Sequence, residues 1–163
     1  MSAARPSERG MLALACIAAL RPYDLERMSA ACVDMARRCI LIPQSIPRGS
    51  TTVPLSTEFA HPNAGHFVPG LPRVIWDWLK LFPFQPHPWA PLQKRIAATV
   101  GFWIQDGCRK TAATYYEALN GLAAARKLLG YVGDIKTTGH VRLTTREEAE
   151  KFYKINPNDF LNK

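Results

Sequence analysis

Few side chains of this 163-residue chain are of a type that could do chemistry, and their spacing limits what they could do. His61, His66 and His87 are the candidate metal ligands. A zinc site would need cysteine or further carboxylates close by. No cysteine lies near these histidines and Glu58 is the one neighbouring acid, so no metal and no cofactor is expected. Cys16, Cys32, Cys39 and Cys108 show neither CxxC nor the paired spacing of a disulfide hairpin, and read as reduced thiols packed like small hydrophobes. Nucleophile-elbow and phosphate-loop patterns are both missing from the sequence. With no pair of titratable groups placed for acid–base work, no catalytic residue is expected, and an enzyme ranks last among the function classes.

The charges are more informative. Lysine and arginine number 21 against 13 acids, a net charge of +8, which points to an anionic partner or to a compartment whose proteins run basic. Residues 1–50 hold seven basic and four acidic groups, 51–90 two of each, 91–143 eight against three, and 144–163 four of each. The basic pairs Lys94-Arg95, Arg109-Lys110 and Arg126-Lys127, with Lys136 and Arg142, are the candidate contacts to phosphates of lipid or RNA. The plainer reading of such pairs on a helix is a solvated face.

Between the charged ends lies a neutral strap, residues 43–91, with ten of the thirteen prolines, three of the four tryptophans and four of the seven phenylalanines. Proline removes a backbone donor and fixes φ, so this segment cannot make an ordinary helical core, yet it is too aromatic for a solvated linker. A short helix is expected over 72–82, with Val74, Ile75, Trp78, Leu79 and Phe82 on one face. Pro83, Pro86, Pro88 and Pro91 then force an extended path. Trp76, Trp78, Phe82, Phe84 and Trp89, with Phe67 upstream, are the candidate partner-binding residues, because such a density of exposed aromatics marks a contact surface. The alternative is that they fold back over the chain's own helices.

Helices must carry both ends. In the N-terminal unit, residues 1–42, Ser7 can cap a helix running to about Leu20, where Arg21-Pro22 stops it. That basic helix is a candidate mitochondrial address, since Leu20-Arg21-Pro22 makes a poor cleavage site. Pro22 opens a second helix whose Leu25, Met28, Cys32, Met35 and Cys39 fall on one seam at 3-4-3-4 spacing. In the C-terminal unit, residues 92–163, the longest helix is expected from about Pro91 to about Leu129, with Gly101, Gly107 and Gly121 as points of close contact or bending. Thr144 or Thr145 caps a last helix through Glu147 or Glu148, and Phe160 with Leu161 reads as a small docking hook. The fold class is therefore mainly α, with amphipathic helices at both ends, a long extended Pro- and aromatic-rich join and little or no β. No apolar run reaches the ~20 residues of an ordinary transmembrane helix.

One stretch carries a family likeness. Glu117-Ala118-Leu119-Asn120-Gly121-Leu122-Ala123-Ala124, then Gly130-Tyr131-Val132-Gly133-Asp134-Ile135 and Gly139, resembles the C-terminal helix of subunit g of the mitochondrial ATP synthase. It departs at Arg126 and Lys127, where that family keeps an apolar span. The resemblance implies a non-catalytic accessory subunit of a mitochondrial inner-membrane complex, ATP synthase or respiratory chain, acting in assembly and stabilisation. Its partners would be other subunits and anionic lipid headgroups. The competing classes are an RNA-contacting mitochondrial ribosomal protein and a structural protein of the microtubule lumen.

Overall fold

A computed structural model describes residues 1–40, 74–103, 106–129 and 144–161, without the side chains of Cys39 and Lys127. Most of the strap, from 43 to 73, lies outside the described residues, as do Phe67, His61, His66, Lys136 and Arg142.

Helix α1, Pro6–Ile17, is the centre of the fold. Proline suits its first position, where no amide partner is needed, and the Glu8 carboxylate accepts the Arg5 backbone N–H at 2.8 Å. From Glu8 to Ala15 every residue is buried, which is the signature of a helix enclosed by its neighbours. This enclosure gives α1 a structural role in the folded protein. It ends at Ala18, and Ala19 turns the chain with φ 56°.

Helix α2, Pro22–Arg27, corrects the expectation of a helix running on to Cys39. Met28 leaves helical geometry at ψ 148°, and a 3-10 turn, Ala30–Cys32, follows. The chain then forms a minimal hairpin: β1, Val33–Asp34, pairs antiparallel with β2, Cys39–Ile40, so that Val33 faces Ile40. The reason is local competition. The Asp34 carboxylate accepts the Arg37 backbone N–H at 2.8 Å, a turn bond that an α-helix cannot contain, and Val33 and Ile40 are β-branched. The Met and Cys stripe is accordingly split: Leu25 and Met28 are buried, whereas Met35 is exposed.

Helix α3, Val74–Leu81, lies within the expected 72–82, and the extended run after it leads from Phe82 to Pro88. The single long helix expected beyond Pro91 is instead three: α4, Trp89–Val100, α5, Gly107–Asn120, and α6, Leu122–Leu129. Gly101 and Gly121 both sit at φ 83°, a left-handed backbone that glycine reaches without a Cβ penalty. They end helices where bends or close contacts were expected. Helix α7, Arg146–Tyr153, follows the capping signal: Thr145 Oγ1 accepts the Glu148 N–H at 3.2 Å, and the Glu148 carboxylate accepts the Thr145 N–H at 2.9 Å. A 3-10 turn, Pro157–Phe160, closes the described chain.

Helix α1 packs against α2, α3 and α5, and α5 in turn against α6 and α7. The larger core gathers α1, α3, the strap end, Leu25, Met28, Ile40 and Leu92. A smaller one joins Ala112, Ala113 and Tyr116 of α5 to Ala125, Leu128 and Leu129 of α6. The described fold is mainly α, with a single two-residue ladder.

Candidate functional site

The five aromatics at the strap's C-terminal end do not form a surface. Trp76, Trp78, Phe82, Phe84 and Trp89 are between 1% and 8% exposed and belong to the larger core. Trp78 is the hub. Its ring lies 5.6 Å from that of Phe82 and 5.3 Å from that of Phe160, so the expected C-terminal hook docks, through Phe160, on the chain itself. Leu161 beside it stays exposed. The Arg9 guanidinium stacks over Phe82 at 5.1 Å while donating to the Ala4 carbonyl at 3.3 Å and to the Phe160 carbonyl. Trp89 meets Trp103 edge-on at 6.0 Å, and its backbone N–H donates to Glu26 Oε1 at 2.6 Å. Fully burying such side chains is worth about 1.5–3 kcal/mol each.

The candidate cations divide. The Arg95 guanidinium pairs with the buried Glu8 carboxylate, joining α4 to α1. Arg109 is buried and donates to the Ala19 carbonyl at 2.5 Å and to the Leu129 carbonyl, so it ties the end of α1 to the end of α6. Both were candidates for an anionic surface; Arg95, half-buried, is engaged by Glu8, and Arg109 serves the interior. For Arg109 the physical reason is that α1 and α6 end with carbonyls lacking helical partners, and a guanidinium satisfies two at once. Lys94 is exposed, and Lys110 and Arg126 are half-buried. His87 places Nε2 3.1 Å from the Ser7 carbonyl, a packing role. No group of three or more His, Cys, Asp or Glu side chains suited to a metal occurs among the described residues. None of their helices is long and apolar enough to cross a membrane.

Two features were not legible in the sequence. A cavity of about 280 Å³ opens where α1 ends beside α4 and α5, lined in part by Leu20, Trp89, Trp103, Asp106, Cys108 and Arg109. Cys108, in the first turn of α5, belongs to that lining, and Cys16 lies on α1, the helix against which α5 packs. The Cys108 side chain, then burial, pushes the Cys16 thiol well up; the Cys16 side chain, helped by the backbone N–H of Cys108, draws the Cys108 thiol down against its own burial. Ninety-two positions separate the two cysteines, so no local spacing could announce them. The other feature is exposed apolar surface: Phe102 is 64% and Val100 47% exposed on either side of Gly101, where α4 ends.

No family model matches this sequence, and neither characterised proteins nor solved structures give a significant match.

Proposed function

We propose that this chain is a non-catalytic accessory subunit that contacts its complex through the corner at the end of α4 rather than through the strap aromatics. The observation that carries this is the exposure of Phe102 and Val100 in a chain that buries its other described phenylalanines wholly or in part. A phenylalanine left in water beside a helix end suits a contact completed by another protein. Lys94 is exposed on the same helix.

The complex we propose is one of the mitochondrial inner membrane, ATP synthase or respiratory chain. Support comes from the resemblance of 117–139 to subunit g and from the net charge of +8. Withdrawal of Arg95 and Arg109 into internal contacts takes two cations from the surface that an RNA-contacting protein would use. The test is blue-native electrophoresis of mitochondria bearing the tagged protein. Migration with a respiratory complex or the ATP synthase is expected, and Phe102→Asp should release the tag to the position of free protein. Migration of the wild type only as a monomer, or with ribosomes, overturns the reading.

A further inference from the structure

We propose that Asn120-Gly121 is a self-modifying site: the Asn120 side-chain amide is lost as ammonia through a cyclic imide with the Gly121 backbone, at a pace set by the opening of the last turn of α5. Of the five asparagines in the chain, only Asn120 is followed by glycine, the neighbour that shields its own backbone nitrogen least. The pair sits where α5 ends and α6 begins, and both residues are exposed. Chain neighbours aside, no heavy atom of the described residues lies within 4 Å of the place a Cβ would take at Gly121, so the junction is open to water. Two hydrogen bonds keep the reacting groups apart. Asn120 Nδ2 donates to the Tyr116 carbonyl at 3.2 Å, and the Gly121 N–H donates to the Glu117 carbonyl at 2.7 Å. The nitrogen that must attack is therefore held as a helical donor, and the carbon it must reach belongs to a side chain drawn back along the helix. Both bonds have to open together, which ties the reaction to fraying of this helix end.

The chemistry balances without an oxidant or a reductant. The Gly121 nitrogen gives up its proton and attacks Asn120 Cγ; the new C–N bond closes a five-membered imide as the Cγ–Nδ2 bond breaks, and ammonia leaves with that proton. Water then adds to one of the two imide carbonyls and opens the ring, leaving aspartate or isoaspartate at position 120. One water is consumed, one ammonia is released, and the net charge falls by one. The new carboxylate stands at the negative end of a 14-residue helix and has no N–H to offer the Tyr116 carbonyl. Isoaspartate also routes the main chain through an extra methylene. Each change weakens the hold of α5 on α6, whose Ala125, Leu128 and Leu129 form much of the smaller core.

The full-length protein is incubated at mildly alkaline pH, native and in parallel unfolded in guanidinium chloride, and mapped by mass spectrometry over time. The expected product has exchanged an amide nitrogen for oxygen at position 120, and this should be the fastest-converting asparagine of the unfolded chain. Native conversion should be slower than unfolded by about tenfold or more. That slowing should match, within about threefold, the protection of the Gly121 amide against hydrogen exchange, because one opening governs both. The converted protein should melt about 2–4 °C lower, and Asn120→Asp should reproduce part of that shift. Asn120→Gln should leave position 120 unconverted. The wild-type rates decide the question even if a variant fails to fold. Equal rates in the native and unfolded protein, a slowing that departs from the Gly121 protection by more than about tenfold, or faster conversion of another asparagine in the unfolded chain would each overturn the proposal.

Discussion

Gly10 of α1 lies directly beneath the backbone of Phe82 and Pro83, so that a Cβ at this position would overlap the Phe82 carbonyl oxygen and come within 2.9 Å of the Pro83 carbonyl oxygen. The central helix and the strap's end are thus pressed together at backbone distance, which only glycine permits. Gly10→Ala should destabilise the protein by about 2 kcal/mol through overpacking, seen as a lower denaturation midpoint at unchanged slope. Gly101→Ala meets no neighbouring atom and should cost about 1 kcal/mol, through its left-handed backbone alone. Equal effects of the two would mean that the strap does not bear on α1.

The Glu8–Arg95 pair sets an acid limb to stability. Burial works to raise the Glu8 carboxyl, but the Arg5 N–H and the Arg95 guanidinium overcome it and hold the carboxyl below its usual range. The resulting stability is present above the unfolded value of about 4.3 and is lost as pH falls through the lower folded value. Asp24, whose carboxyl burial holds above the usual range, has the opposite slope. Glu8→Gln should therefore flatten the fall below pH 4.3 and cost about 2 kcal/mol at pH 7, by leaving Arg95 without its partner. Urea titrations at stepped pH values check both.

Arg109 and Lys110 are neighbours in the sequence with different roles. Arg109→Leu should cost about 3 kcal/mol, because the Ala19 and Leu129 carbonyls lose a shared donor in the interior. Lys110→Ala should stay within about 0.5 kcal/mol. A loss for Arg109→Leu as small as that for Lys110→Ala would return the pair to the surface role that its sequence suggests.

How much of this was legible depended on whether the signal was local. Thr145 and Glu148, and the helix over Val74–Leu81, follow from neighbours a few residues apart, and the sequence shows them plainly. Gly101 and Gly121 were recognisable as weak points, but whether a glycine bends a helix or ends it depends on what packs around it. The stripe from Leu25 to Cys39 misled because periodicity takes no account of the Asp34 turn bond. Arg95, Arg109 and the strap aromatics were harder still. Nothing local tells a guanidinium bound for helix-end carbonyls from one bound for phosphate, or tryptophans bound for their own core from tryptophans bound for a partner.

The Tyr153 hydroxyl is buried without a hydrogen-bond partner among the described residues, its ring edge-on to Phe152 at 5.0 Å, and burial pushes its phenol well up. Tyr153→Phe removes that unmet polar atom and should raise stability by about 1 kcal/mol, read by thermal and chemical denaturation. A loss of similar size would reveal a partner for the hydroxyl.

The most direct measurement of whether the strap's end belongs to the chain's own core is acrylamide quenching of tryptophan fluorescence in the isolated protein. Trp103→Phe leaves Trp76, Trp78 and Trp89 as the only emitters. Their burial predicts quenching far weaker in the native protein than in the same variant unfolded in guanidinium, with no partner added. Equal quenching in the native and unfolded protein would contradict it, and would return those tryptophans to a surface that some other molecule must cover.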